Sequence, residues 1–179
     1  MGVLYSGADD CCMKGWDERI DSRTPIFMNR KEHSAGVCSI QCSYFSEHVL
    51  ATGSYDEHLR IWDLRNVAKP VTAKKASLQG GVWRVKWHPR KRDLILAACM
   101  HNGFRVVSAG SNELRTVEHY TAHKSLAYGA DWSWQKAHNS GSLGLVATCS
   151  FYDCLLHIWS VQTPPNQVST AADDGACQR

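Results

Sequence analysis

An all-β fold of repeated, radially arranged sheets is predicted by three observations. The stretch from Leu50 to Asp63, Leu-Ala-Thr-Gly-Ser-Tyr-Asp-Glu-His-Leu-Arg-Ile-Trp-Asp, reads as two short strands around a tight turn. An aspartate six positions before a tryptophan recurs, as Asp10 and Trp16, Asp56 and Trp62, and Asp153 and Trp159. The tryptophans are 46 and then 97 positions apart, one period and about two. A period of roughly 40–45 residues with some loop insertion belongs to propeller blades of the WD type rather than to helical repeats. The expected architecture is a partial WD-type β-propeller of about three and a half blades.

Taken in order, residues 1–31 are a half blade: Met1 to Asp17 supplies its later strands, and Arg23 to Lys31, with Pro25 near its start, its outer strand. Residues 32–76 are the complete blade, with Val37–Ser43 as inner strand and Val71–Ala76 as outer strand after Pro70. Residues 77–120 are a degenerate blade. Gln79-Gly-Gly-Val-Trp-Arg-Val-Lys-Trp-His-Pro89 opens it, with Val82, Val85 and Trp87 facing a neighbour and Gly80-Gly81 permitting a sharp bend. Leu94–Cys99 is its second strand, Met100–Gly103 its turn, Phe104–Val107 the strand that lacks the tryptophan, and Thr116–Tyr120 its outer strand. Residues 121–164 are the last blade, with Tyr128–Trp134, a loop from Gln135 to Ser142, Leu145–Ser150 and Leu155–Trp159. From 165 to 179 the chain is polar and aperiodic, which predicts a disordered tail. A ring of 4–8 blades closes by pairing its first and last strands. Three and a half blades leave two bare edges, so a fragment or splice-shortened form of a longer protein is expected.

The repeated polar residues have a shared physical role. A His before the inner strand, a hydroxyl on the second, an Asp in the next turn and a Trp on the third form one buried chain. The indole N–H donates to the hydroxyl, the hydroxyl to the imidazole, and the imidazole to the carboxylate. Each group satisfies the next, so none is buried unpaired. The complete blade offers His33, Thr52, Asp56 and Trp62. The first offers Ser6, Asp10 and Trp16, and the last His123, Asp153 and Trp159, with Thr148 and Ser150 as alternative hydroxyl partners. The degenerate blade has Leu78, Ala97, His101 and Val107 at these positions and has lost the network. A catalytic Ser/Thr–His–Asp reading of the same residues is disfavoured, because a staple is needed in every blade and a catalytic site once.

Composition narrows the function classes. The 179 residues are 44% hydrophobic, enough for a core, and carry a formal net charge of +3. The basic residues are scattered apart from Arg90-Lys91-Arg92 in a turn after His88-Pro89, which reads as solvated loop, so no nucleic-acid partner is expected. Eight cysteines show no regular pairing. Cys38 and Cys42 share one strand about 13 Å apart, too far for a disulfide. No C-x-x-C pair occurs, and His119 and His123 lack nearby thiolates, so no metal is expected. No apolar leader or membrane-spanning run is present, and a reducing, cytoplasmic setting fits best.

Five runs go further than periodicity. Thr52-Gly-Ser-Tyr-Asp-Glu57, Gln79-Gly-Gly-Val-Trp-Arg84 with Lys86-Trp-His-Pro89, Leu96-Ala-Ala-Cys-Met-His101, Tyr128-Gly-Ala-Asp-Trp-Ser-Trp134 and Ala147-Thr-Cys-Ser-Phe-Tyr-Asp153 closely resemble the WD-repeat diphthine methylesterase family of eukaryotic diphthamide biosynthesis. The resemblance spans roughly residues 1–160. It implies hydrolysis of the methyl ester of methylated diphthine on translation elongation factor 2, allowing amidation to diphthamide by an ATP-dependent ligase. It implies no cofactor for the hydrolysis.

The resemblance carries over no catalytic set, and no Gly-x-Ser-x-Gly elbow is present. By position, the turns between second and third strands and the approaches to the inner strands share one rim. His101, standing where other copies place the staple Asp, is the candidate base, with Asp131 to orient it. Trp83, Arg84 and Tyr128 are the candidates for binding the modified histidine or the oxyanion. The competing roles are a plain turn residue for His101 and a structural acceptor for Asp131. The competing function is a non-catalytic scaffold that presents its rim to protein partners.

Overall fold

The computed structural model describes residues 2–20, 23–136 and 141–162. Fourteen strands form four antiparallel sheets among these residues, and no helix occurs in them. The first sheet comprises β1 (Val3–Gly7), β2 (Met13–Asp17) and β3 (Phe27–Asn29) in that order. The second comprises β4 (Val37–Cys42), β5 (Val49–Ser54), β6 (His58–Asp63) and β7 (Val71–Ser77). The third comprises β8 (Arg84–Trp87), β9 (Leu94–Ala98), β10 (Phe104–Ser108) and β11 (Arg115–Tyr120). The fourth comprises β12 (Ala127–Trp132), β13 (Ser142–Ser150) and β14 (Leu156–Gln162). This is a partial β-propeller: each sheet is a sequential meander, and each packs its face on the next.

The register makes the repeat explicit. Leu4 faces Trp16, Leu50 faces Trp62, Ile95 faces Val107 and Val146 faces Trp159. Three apolar clusters then fill the three spaces between sheets. Met13, Phe27, Leu50, Trp62 and Leu64 join the first sheet to the second. Ala51, Leu59, Ile61, Val82, Val85, Trp87 and Ile95 belong to the cluster joining the second to the third. Leu96, Phe104, Val106, Ala130, Trp132 and Val146 belong to the one joining the third to the fourth. Full burial of each Val, Leu or Ile contributes about 1.5–3 kcal/mol, so the interfaces between sheets dominate stability. Close approach across the second interface requires a glycine. A Cβ at Gly53 would lie 2.6 Å from both Val82 Cγ1 and the Val82 carbonyl oxygen.

The ends depart from the sequence expectations. The first sheet has three strands, more than half a blade. Its outer strand, expected over residues 23–31, shrinks to Phe27–Asn29 because Pro25 has no amide to donate. Asn29 Oδ1 then turns the chain away by accepting the Lys31 and Glu32 amides at 3.1 and 3.2 Å. β13 begins at Ser142, earlier than the expected Leu145, with a bulge between Ser142 and Gly144. The tail assigned to 165–179 lies outside the described residues. At the last edge, β14 leaves Leu156 and Ile158 each 64% exposed, and at the first edge Leu4 is 68% exposed.

Candidate functional site

The second-to-third-strand turns line one rim, and three of the four share one geometry. The residue after each turn aspartate has positive φ: Cys11 at 60°, Glu57 at 67° and Cys154 at 54°. The aspartate holds that turn by accepting the amide two positions on. Cys12 N, His58 N and Leu155 N reach Asp10, Asp56 and Asp153 at 3.0, 3.1 and 3.0 Å. In two sheets the other carboxylate oxygen accepts an amide from the approach to the inner strand, Ser34 N at 3.0 Å and Lys124 N at 3.1 Å. Each of these aspartates therefore ties two loops together.

The staples differ from blade to blade. In the fourth sheet the whole chain is made: Trp159 Nε1 donates to Thr148 Oγ1 at 3.2 Å, and His123 Nε2 lies 3.2 Å from the same hydroxyl. His123 Nδ1 lies 2.9 Å from Asp153 Oδ2. Thr148 is thus the hydroxyl partner, while the buried Ser150 hydroxyl has no hydrogen bond among the described residues. In the second sheet Trp62 Nε1 donates to Thr52 at 2.9 Å and His33 Nε2 lies 3.3 Å from it, but the last link is broken. His33 Nδ1 stands 3.8 Å from Asp56 and has no hydrogen-bond partner among the described residues. Arg60 takes its place, with two bonds to the Asp56 carboxylate at 2.9 and 2.7 Å and one to the Glu32 carbonyl at 2.5 Å. In the first sheet Trp16 donates to Ser6 at 2.9 Å and Lys14 pairs with Asp10 at 2.8 Å.

Sequence reasoning missed these cations, although a signal was there. Each copy has a basic residue four positions after the turn position: Lys14, Arg60, Arg105 and His157. Strand register sets them opposite Ser6, Thr52, Ala97 and Thr148. Burial opposes charge on Asp56, but Arg60 and the Ser34 and His58 amides outweigh it and hold the carboxyl well below the usual range. Burial and the Arg60 charge push the His33 imidazole down to about 4.

The third sheet is the exception. Leu78, Ala97 and Val107 are buried in its apolar cluster, so packing replaces the network. His101 is exposed and makes no hydrogen bond among the described residues. The turn is held by Asn102, whose side-chain amide donates to the Leu78 carbonyl at 2.9 Å. Arg105 reaches Gln79 at 3.3 Å and its Nε is buried without a partner among the described residues. His101 borders a cleft of ≈ 460 Å³ with Asn102, His123, Lys124, Leu126 and Tyr152. His123 and Asp153 show triad-like spacing beside it, but Thr148 is 1% exposed and accepts an indole N–H, so its hydroxyl meets no substrate.

Met100, next to His101, pairs with Ala127 through an isolated bridge, which brings the turn to the start of β12 and Tyr128. Trp83 lies between Tyr55 and Tyr128, with ring centroids 5.6 and 5.0 Å away and interplanar angles of 63° in both pairs. Arg84 is exposed at the start of β8. Asp131 is not brought to His101. It lies four residues beyond Ala127, about 13 Å along the strand, and its carboxylate pairs with Lys86 at 3.0 Å. The rim therefore carries His101 beside one cleft and, separately, the contacting rings of Tyr55, Trp83 and Tyr128, while Asp131 pairs with Lys86 between two inner strands.

Among the described residues no cluster of three His, Cys, Asp or Glu side chains is placed to hold a metal ion, and no helix is long and apolar enough to cross a membrane. The seven cysteines described are free thiols. The family model "WD domain, G-beta repeat" matches residues 26–63. A chain in a solved structure, "Crystal Structure of Mitotic Checkpoint Complex", superposes with a TM-score of 0.70 over 90% of this chain and 46% of that one, at 23% identity, a likeness of fold. "Diphthine methyltransferase" from Mus musculus is 51% identical over 74% of this chain and 28% of its own length. The "Diphthine methyltransferase homolog" of Dictyostelium discoideum is 39% identical over 88% and 46%. The Saccharomyces cerevisiae "Diphthine methyltransferase" is 37% identical over 89% and 45%. The chain thus spans less than half the length of these relatives.

Proposed function

From a chain homologous over most of its length to eukaryotic proteins named diphthine methyltransferase, we propose a part in diphthamide biosynthesis as an ester hydrolase. Its substrate is methylated diphthine on translation elongation factor 2, met in the cytoplasm, and its products are the free carboxylate and methanol. The observation that supports the diphthamide part of this reading is the shared name of relatives from mammal, slime mould and yeast at 37–51% identity; that name speaks of methyl transfer, and the hydrolysis is our own reading from the sequence resemblance.

The rim offers residues for each part of the chemistry. His101 takes a proton from water as its oxygen adds to the ester carbonyl carbon. Arg84 stabilises the negative charge gathering on the carbonyl oxygen. Collapse re-forms the carbonyl, breaks the bond to the methoxy oxygen, and delivers the proton from His101 to that oxygen as methanol. Trp83 and Tyr128 hold the modified imidazole against their rings. No cofactor enters any step. Asp131, held by Lys86, acts in positioning β12 rather than in orienting the base.

The second reading is a scaffold whose rim binds elongation factor 2 or another protein without chemistry. The exposed Tyr55 favours a binding face of this kind. Mass spectrometry of elongation factor 2 carrying methylated diphthine separates the two. Loss of one methylene from the modified residue, with methanol released, supports the hydrolase. Binding with no mass change supports the scaffold, and a gain of one methylene would mark methyl transfer instead.

A further inference from the structure

The end of the sheets opposite the rim turns has a chemistry of its own. β9 runs from the loop at 90–93 to the turn at 100–103, so about 16 Å of strand separates that loop from the rim. The Arg90-Lys91-Arg92 run, which its sequence assigns to solvent, is organised there. A cleft of ≈ 530 Å³ opens between the third and fourth sheets, lined by the half-buried Val117 and Leu143, by Leu94, and by the exposed Lys91, Arg92 and Arg115. None of these three cationic side chains has a hydrogen bond or ion pair among the described residues, whereas Lys14, Arg60 and Lys86 are each tied to a carboxylate. Asp93 is the one acid lining the cleft among the described residues, and its carboxylate lies against Gly110, where a Cβ would meet Oδ2 at 3.3 Å. Lys74 adds positive charge by donating to the Ala109 and Ser111 carbonyls of the β10–β11 turn.

Apolar surface flanks this loop on both sides. Arg90 Nε donates to the Trp134 carbonyl at 3.0 Å, and the Trp134 ring meets Tyr44 edge-on with centroids 5.3 Å apart. These two rings fill the space between them, and their outer faces are open to solvent: Trp134 is 61% exposed and Tyr44 48%. On the other side Arg92 and Asp93 wall a second cleft, of ≈ 400 Å³, which Val49, Ile61 and Trp87 line between the second and third sheets.

We propose that this end of the propeller is a docking surface for an acidic protein segment that carries a large apolar side chain. Guanidinium groups pair with carboxylates through two parallel bonds, and Arg92 and Arg115 hold theirs unused at the edge of the cleft. Complementary charge steers the segment in, while Leu94, Val117 and Leu143 receive its apolar part. Exposed Trp, Tyr and Arg side chains gathered on one face are the anchors that protein interfaces favour. A free phosphate would gain nothing from the apolar lining. A nucleic-acid strand is held by cations that track successive phosphates along a groove, and here they gather round one cleft. The surface lies at the far end of β9 from His101, so a partner held here leaves the rim open to a substrate.

The test is fluorescence anisotropy of a fluorescein-labelled peptide in which a Phe-Leu pair is flanked on each side by a run of glutamates, titrated with the full chain at constant ionic strength. It is compared with the same peptide carrying glutamine for glutamate, with one carrying Ala-Ala for Phe-Leu, and with a uridine oligonucleotide of equal charge. The expected result is saturable binding of the first peptide, with roughly tenfold weaker binding of the glutamine form and several-fold weaker binding of the alanine form. Arg92→Glu combined with Arg115→Glu weakens it at least about tenfold. The matched reversal of the exposed Arg30 and Lys31, Arg30→Glu with Lys31→Glu in the connection from β3 to β4, leaves it unchanged. Thermal midpoints equal to the parent's mark an intact fold; should the double reversal lower its midpoint, Lys91→Glu alone gives the reading, with a several-fold loss expected. Absence of saturable binding, equal binding of the glutamine form, equal loss in the matched reversal, or tighter binding of the oligonucleotide would overturn the proposal. No ester enters the assay, so its failure leaves the hydrolase reading standing.

Discussion

Arg60, not His33, holds Asp56. The guanidinium meets the carboxylate with two bonds at 2.9 and 2.7 Å, while the imidazole Nδ1 stands off at 3.8 Å. Arg60 is 1% exposed and the Asp56 side chain 3%, so this is a buried ion pair rather than a surface one. Removing one member of such a pair leaves the other charged and dry.

Arg60→Ala is therefore expected to destabilise the chain by about 3–5 kcal/mol. Adding Asp56→Asn to Arg60→Ala recovers part of that loss, because the stranded charge is gone. Urea denaturation read by tryptophan fluorescence checks both. A double variant less stable than the single one would show that the Asp56 turn bonds, not its charge, dominate.

The last blade allows a sharper comparison. Thr148 accepts from Trp159 and lies 3.2 Å from His123, whereas the Ser150 hydroxyl has no partner among the described residues. Thr148→Val is expected to cost about 1–3 kcal/mol by stranding its partners. Ser150→Ala is expected to be near neutral. Equal losses in thermal unfolding would contradict the assignment of Thr148.

Acid sensitivity follows from His33. Its pKa is about 4 in the folded chain against an ordinary 6.5, so below neutrality the unfolded chain binds the proton first. Stability is complete above about 6.5 and is lost as pH falls from there to about 4. Asp56, also held low, takes over the loss below the ordinary carboxylate range. Denaturation midpoints measured from pH 7 to 4 are expected to fall, and to fall less steeply in His33→Gln. Identical slopes in the two proteins would exclude His33 as the cause.

Much of this was legible in the sequence because alternation and the aspartate–tryptophan spacing are local signals. Leu50, Trp62 and their counterparts announce the sheets, and Leu78, Ala97 and Val107 announce the blade that lost its network. The Asp56 partner was not legible, because Arg60 reads as an ordinary member of a strand until Lys14, Arg105 and His157 are aligned with it. Asp131 misled for a related reason. Sequence placed it near the rim by strand number, while a rise of ~3.3 Å per residue along β12 carries it away from His101 and onto Lys86. The Tyr55–Trp83–Tyr128 ladder needs three blades in register, which spacing alone does not supply.

Gly53 tests the contact between blades. Any Cβ there runs into the Val82 backbone, so Gly53→Ala forces the second and third sheets apart. A loss of about 1–3 kcal/mol is expected from overpacking, read as a lower thermal midpoint. An unchanged midpoint would mean that the interface yields freely.

The rim as a seat of hydrolysis stands or falls with His101. Methanol release from methylated diphthine on elongation factor 2, compared between the intact protein and its His101→Ala variant, asks the question directly. The account predicts a fall of at least about a hundredfold with an unaltered thermal midpoint, since the side chain is exposed and bonds to nothing among the described residues. Turnover within a few-fold of the parent would contradict it.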